Sequence, residues 1–102
     1  MSTKAGFRSY ERVEADNTVK DADDLTIPDF CTHAELQADT QNIHYTMDDA
    51  TDPTQAGIGM VLLKDEPPIV FTIGNVKKIR FDRGAGSNGY LNIHYAAPLD
   101  VG

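Results

Sequence analysis

The chain has 102 residues, enough for one domain around one core and too few for a second independent core. It carries 9 basic and 16 acidic side chains, and this net charge of −7 argues against a general nucleic-acid binder, which needs Lys and Arg to neutralise phosphate. Its single cysteine, Cys31, excludes an intrachain disulfide, and its longest apolar runs, 59–63 and 67–71, are too short to span a bilayer. We therefore expect a soluble chain with neither nucleic acid nor membrane as partner.

Both ends of the chain are predicted to lie outside the folded domain. Residues 1–6 are small and polar, which predicts a flexible N-terminal arm with no resemblance to a signal peptide. The domain is predicted over residues 7–96, and residues 97–102 form a C-terminal tail. A short strand is expected from about Arg8 to Val13.

The tetrapeptide Asn-Ile-His-Tyr occurs twice, at 42–45 and at 92–95. Each copy alternates polar and apolar residues, which predicts a β-strand with Ile and Tyr on one face and Asn and His on the other. The segment 32–38 alternates in the same way. It is separated from the first copy by a tight connection, so these two strands are predicted to form a hairpin.

Between the two copies, turn-forming residues separate several short apolar segments. The longest loop is predicted over 48–57, strands over 58–64, 68–73 and 77–82, and a flexible hairpin tip over 83–89. The side chains predicted to face the core are Ile43, Tyr45, Met60, Leu62, Ile69, Phe71, Ile73, Ile79, Phe81, Leu91, Ile93 and Tyr95. With seven to nine short strands and no convincing helix, the sequence predicts an all-β protein, a single antiparallel β-sandwich of jelly-roll-like type.

The histidines are the first candidates for chemistry. If the two Asn-Ile-His-Tyr strands were neighbours, His44 and His94 would share one outer face, with His33 as a possible third member. A metal site needs three or four converging donors, so a surface or interface pair that responds to acid is favoured over a metal site.

The acidic run Asp48, Asp49 and Asp52 is the second candidate, because clustered carboxylates bind Ca²⁺. Its spacing lacks the pattern of a calcium loop, and a solvated turn is favoured. No carboxylate pair for glycoside hydrolysis, no Ser-His-Asp arrangement and no phosphate-binding loop stands out. We therefore predict no catalytic residue, no cofactor and no metal, and a protein that is not an enzyme.

Basic residues are concentrated in one part of the chain. Residues 1–52 hold 4 basic and 12 acidic side chains, whereas residues 53–102 hold 5 and 4. The residues predicted to contact a partner are Lys77, Lys78, Arg80, Arg83, His44 and His94. The alternative for the basic cluster is a solvated outer face, and for the charge asymmetry it is solubility alone.

From residue 42 onward the chain resembles a group of small structural proteins of tailed-phage virions. The shared pattern begins with a strand of the form aromatic-aliphatic-basic-Tyr, a loop with Asp and Pro-Thr, and a Gly before a strand. A further strand with a Phe or Ile near a basic residue follows, and then a closing aliphatic-x-aliphatic-x-Tyr strand. These elements are present at 42–48, 52–57, 76–81 and 91–95. The chain departs from the pattern at Asp49, where Gly is usual, and at 64–67, where Lys-Asp-Glu-Pro replaces a Gly-containing turn.

This resemblance implies a non-enzymatic virion structural protein. The first expectation is a decoration or cement protein that stabilises the outside of a phage capsid. Its partners would be the major capsid protein and copies of itself, with a trimer favoured, and it would be made in the host cytoplasm. One alternative is a tail or head-to-tail connector component. The other is a carbohydrate-binding or calcium-dependent binding module.

Overall fold

The chain forms eight strands and two short helical turns. A computed structural model describes residues 5–54, 57–84 and 86–98, without the side chains of 5–8 and 98. The strands are β1 Ala5–Ala15, β2 Lys20–Asp21, β3 His33–Asp39, β4 Ile43–Thr46, β5 Met60–Leu62, β6 Ile69–Thr72, β7 Arg80–Arg83 and β8 Gly89–Pro98. A 3₁₀ turn covers Ala22–Asp24, and one turn of helix, α1, covers Ile73–Val76.

The strands are arranged in two antiparallel sheets with the connectivity of a jelly roll. The first sheet has the order β1-β8-β3-β6 and the second has the order β2-β7-β4-β5. The first sheet therefore contains the pairs β1/β8 and β3/β6, and the second sheet contains the pairs β2/β7 and β4/β5. This alternation of pairs between two sheets is the double Greek key of a jelly roll. The predicted all-β, antiparallel, jelly-roll-like sandwich is confirmed.

The core lies between the two sheets and is built by the alternation that the sequence shows. On β8, Leu91, Ile93 and Tyr95 are fully buried, while the residues between them lie on the outer face. Of the predicted core residues, those confirmed as buried are Ile43, Tyr45, Leu62, Ile79, Phe81, Leu91, Ile93 and Tyr95. Cys31 is also buried, as expected for a small apolar side chain.

The predicted hairpin between 32–38 and 42–47 is wrong. Both strands exist, but β3 lies in the first sheet between β8 and β6, and β4 lies in the second sheet between β7 and β5. The chain crosses from one sheet to the other at Thr40, which adopts φ 74°. A hydrogen bond stabilises this crossing: the Gly84 amide donates to the Asn42 carbonyl at 2.6 Å. Strand pairing over long sequence distances therefore overrides proximity along the chain.

The predicted domain boundaries differ from those of the structure at both ends. Ala5 pairs with Pro98 and Gly6 pairs with Ala97, so residues assigned to the arm and the tail belong to β1 and β8. The reason is that the first and last strands pair along their full lengths. The remainder of the predicted arm, 1–4, and of the predicted tail, 99–102, lies outside the described residues.

Candidate functional site

The structure places the two Asn-Ile-His-Tyr strands in different sheets. His44 lies on β4, between β5 and β7, whereas His94 lies on β8, between β1 and β3. The condition under which the two histidines would share one outer face, that their strands are neighbours, is therefore not met. His33 lies on β3 beside β8, with Ala96 as its partner in the register. The three histidines do not converge on one site.

His44 is buried beneath a loop that sequence reasoning placed in solvent. Its imidazole is 9 % exposed, and Nδ1 donates to the carbonyl oxygen of Thr54 at 2.6 Å. Asp82 lies directly opposite on β7 and is 4 % exposed, although the alternation predicted that it faces solvent. It does lie on the outer face of the second sheet, but residues of the long loop cover that face. His44 is consequently an internal anchor for this loop.

The surroundings of Asp82 leave polar atoms without partners. Neither Asp82 Oδ1 nor Thr54 Oγ1 has a hydrogen-bond partner among the described residues, although both atoms are buried. Loss of hydration raises the pKa of Asp82, and the nearby His44 and Arg83 oppose that shift. Asp82 and Thr54 escaped sequence reasoning because only the strand pairing brings them to His44.

Arg80, a predicted partner contact, holds the acidic loop in place. Its guanidinium donates to Asp52 Oδ1 at 2.7 Å and to the carbonyls of Ala50 and Asp49 at 3.1 Å each. The planar fork of Arg suits such a set of acceptors. The Asp48 carboxylate accepts from the amides of Ala50 and Thr51 and from the Thr51 hydroxyl. The acidic run thus forms a turn organised by internal hydrogen bonds.

The other predicted basic contacts do not form one patch with Arg80. Lys77 and Lys78 follow α1 and are exposed. Arg83 is half-buried at the opposite end of β7 from Arg80 and donates to Asn88 Oδ1 at 3.0 Å. The structure therefore separates the cluster into an exposed lysine pair and two arginines with partners in the chain.

The strongest interaction feature lies along one side of the sandwich. β5 and β6 are the last strands of their sheets, and residues 63–68 connect them. Exposed large apolar side chains concentrate there, which sequence reasoning missed. We call this surface the open edge and define it by Ile58, Met60, Val61, Leu63, Ile69 and Val70. Among the side chains that the structure describes, the only other exposed large apolar residues are Tyr10 and Phe30.

Two residues of the open edge, Met60 and Ile69, point toward the core in the strand register but are exposed to solvent. Met60 pairs with the buried Tyr45, and Ile69 pairs with the buried Leu36, so both face inward as predicted. They remain 64 % and 47 % exposed because no described segment closes this side of the sandwich. The predicted burial of Met60 and Ile69 is therefore wrong, although their predicted direction is right.

The outer face of the first sheet carries a connected polar and aromatic network. Tyr10 donates from its hydroxyl to Asn92 Oδ1 at 2.8 Å, and the same oxygen accepts from Arg12 at 3.0 Å. Arg12 also forms an ion pair with Asp39 at 2.7 Å and lies 4.1 Å from the centroid of the Tyr90 ring. The nearby carboxylate holds the pKa of Arg12 above its ordinary value. These contacts fix the side chains on this face.

A shallow cleft opens next to this network. It has a volume of about 240 Å³ and is lined by Tyr10, Glu35, Gln37, Pro68, Asn92, Ile93 and His94. Among the described residues, no group of three or more His, Cys, Asp or Glu side chains is arranged to hold a metal ion. The same part of the chain contains no helix that is long and apolar enough to cross a membrane.

Comparison with known proteins identifies no relative. No protein-family model matches the chain, and neither a curated protein nor a solved structure matches it.

Proposed function

We propose that this chain is a non-enzymatic structural protein of a phage virion, and specifically a decoration protein that binds the outside of the capsid as a small homo-oligomer. The open edge is the observation that carries the proposal. A jelly roll is a fold that viral capsid domains use, but a fold alone does not assign a function. The proposed function therefore depends on the exposed apolar surface of the open edge.

The open edge is best explained as a surface that another protein covers. Contiguous exposed apolar patches on soluble proteins mark interaction sites, and unprotected edge strands invite further strand pairing. Here Met60 and Ile69 point toward the core, and no described segment covers them from the side. A protein that exposes apolar side chains along two consecutive edge strands, one in each sheet, is suited to permanent assembly.

The partner that fits this edge is a second copy of the chain. β5, Met-Val-Leu, and β6, Ile-Val-Phe-Thr, carry no charged side chain. The protein as a whole has a net charge of −7, so copies repel one another over much of their surfaces. The two strands of the open edge therefore let two copies approach without opposing like charges, while the charged residues Lys64, Asp65 and Glu66 are confined to the connection between them. Identical copies associate as closed symmetric oligomers, and the trimer expected from the resemblance requires two different parts of the edge to meet, such as β5 of one copy and β6 of the next.

The two departures from the phage-virion pattern contain residues whose backbone conformation suits Gly. The pattern has Gly at the position of Asp49 and a Gly-containing turn at 64–67. Asp49 has φ 58° and Asp65 has φ 64°, which is the left-handed region that Gly occupies most easily. At both departures this chain therefore places Asp in a conformation that Gly adopts more easily, so the absence of Gly there does not speak against a similar turn.

The proposal is tested by locating the chain in the virion of the phage that encodes it. Purified virions are separated into heads and tails, and the copy number of the chain in each fraction is measured by quantitative mass spectrometry. A decoration protein is expected in the head fraction in many copies, in a fixed ratio to the major capsid protein. Recovery in tails would favour a tail or connector component, and absence from both fractions would overturn the proposal.

A further inference from the structure

The cleft on the outer face of the first sheet has the composition of a small-ligand site. One wall is the ring of Tyr10, which is 54 % exposed, and Pro68 contributes a second apolar surface. The remaining lining includes the carboxylate of Glu35, the amides of Gln37 and Asn92, and the imidazole of His94. Binding sites combine apolar surface with a few polar groups in this way.

The aromatic wall is held in position before any ligand arrives. The hydroxyl of Tyr10 donates to Asn92 Oδ1, and Asn92 is in turn held by Arg12. The ring of His94 meets the Tyr10 ring edge-to-face, with centroids 5.5 Å apart and an interplanar angle of 79°. Fixing the ring in advance reduces the ordering cost that binding would otherwise incur.

Several polar groups of the cleft retain hydrogen-bonding capacity. The side chain of Glu35 is half-buried and forms no hydrogen bond or ion pair with any other described residue. The amide nitrogen of Asn92 is 3.5 Å from Gln37 Oε1, and Gln37 Nε2 donates to the Glu66 carbonyl at 3.3 Å. Both hydrogen bonds are long, so a ligand hydroxyl can replace them. A carboxylate without a partner is a strong acceptor for hydroxyl donors.

These features lead us to propose that the cleft binds a neutral pyranose sugar. The apolar face of a sugar ring packs on Tyr10, while its hydroxyls donate to Glu35 and exchange hydrogen bonds with Gln37 and Asn92. At about 240 Å³ the cleft is smaller than the pockets of drug-sized ligands, so it accommodates one ring. Among the described side chains of the lining, Glu35 is the one Asp or Glu and none is Lys or Arg, which disfavours anionic sugars such as uronic acids.

This inference does not depend on the virion assignment or on the oligomeric state. The cleft lies on the outer face of the first sheet, and its principal groups lie on β1, β3 and β8. Sugar binding by a chain that is absent from virions would support the inference while overturning the proposed function. The two outcomes are therefore measured separately.

The test uses the full isotope-labelled chain and two-dimensional amide NMR spectra. It is titrated to tens of millimolar with methyl glucoside, methyl galactoside and methyl mannoside, and in parallel with a methyl glucuronide and with glucosamine. We expect at least one neutral glycoside to cause saturable shifts at the amides of Tyr10, Glu35 and His94, and the glucuronide to cause none. Tyr10→Ala is expected to weaken binding by about tenfold or more, a loss of about 1.4 kcal/mol.

Phe30→Ala is the matched control, because Phe30 is an exposed aromatic residue outside the cleft. It is expected to bind like the parent chain. Glu35→Gln keeps the shape and removes the charge, so weaker binding by this variant supports the site even if Tyr10→Ala does not fold. The inference is overturned if no neutral glycoside shifts these amides, if only glucosamine does, or if binding survives both cleft substitutions unchanged.

Discussion

Asp49 shows at the scale of one residue how backbone geometry constrains this chain. Its φ of 58° is strained for any residue with a Cβ. Its contacts use the backbone, because its amide donates to the Lys78 carbonyl at 3.2 Å and its carbonyl accepts from Arg80. Substitution of the side chain therefore leaves these bonds in place.

We predict that Asp49→Gly is at least as stable as the parent chain and that Asp49→Ala is less stable than Asp49→Gly. The expected gap is about 1 kcal/mol, since Ala carries the steric cost of the left-handed conformation and Gly does not. Urea unfolding of both variants measures it. Equal midpoints for the two variants would show that the conformation at this position is not the constraint.

Asp48 provides a residue-scale prediction about acid. Hydrogen bonds from the Thr51 hydroxyl, the Thr51 amide and the Ala50 amide lower the pKa of Asp48 to about 2. A lowered pKa means that the ionised carboxylate favours the folded state above its unfolded pKa of about 3.9. That contribution disappears as the pH falls through about 2.

Removing the strongest of these bonds should move the titration. Thr51→Val keeps the side-chain shape and deletes the hydroxyl, so the pKa of Asp48 is expected to rise toward its ordinary value. The carboxyl carbon chemical shift of Asp48, followed against pH in both chains, measures the change. An unchanged midpoint would mean that the hydroxyl does not stabilise the carboxylate.

At the scale of elements, alternation in the sequence predicts strands and faces but not partners. Alternating segments of the sequence predict β3, β4, β7 and β8, and the sides of these strands that face the core are as expected. Which strands pair is decided by long-range packing, so the two adjacent strands β3 and β4 separate into different sheets. The short connection between β3 and β4 favours a hairpin, but it carries no information about long-range strand pairing.

Because strand pairing is not visible in the sequence, much of the candidate site cannot be predicted from it. Asp82 alternates with core residues and should face solvent, but a loop from a distant part of the chain covers it. The open edge is also invisible in the sequence, because Met60 and Ile69 have the pattern of ordinary core residues. Their exposure follows from the positions of β5 and β6 at the ends of their sheets. The Tyr10 cleft likewise depends on the pairing of β1 with β8.

The crossing between β3 and β4 gives a prediction at this scale. Thr40 adopts φ 74°, which is unfavourable for a β-branched residue and better tolerated by Asn. Thr40→Asn is expected to raise the free energy of unfolding by about 0.5–1 kcal/mol. Thr40→Val retains the branch and is expected to give no gain. Chemical denaturation compares the three chains, and a gain with Val equal to that with Asn would contradict the account.

At the scale of the whole molecule, the open edge predicts self-association that one charge can prevent. Val70 is 57 % exposed on β6, so Val70→Lys should leave the fold intact while placing a charge on an unprotected edge strand. Ser9→Lys adds the same charge to β1, at the opposite side of the first sheet, and is the matched control.

Native mass spectrometry of the three chains at equal concentration tests this prediction. The parent chain and Ser9→Lys are expected as the oligomer, with three copies as the expected number, and Val70→Lys is expected as the monomer. A parent chain that is monomeric at all concentrations, or two lysine variants that behave alike, would contradict assembly through the open edge.

The central claim is that this acidic jelly roll assembles on a capsid, and co-sedimentation with capsids tests it most directly. Emptied capsids of the phage to which the proposed function assigns the chain, stripped of accessory proteins, are mixed with increasing amounts of the purified chain and pelleted. The account predicts that the bound amount saturates at a fixed ratio to the major capsid protein and that Val70→Lys binds more weakly than Ser9→Lys. A parent chain that stays in the supernatant at every concentration would contradict it.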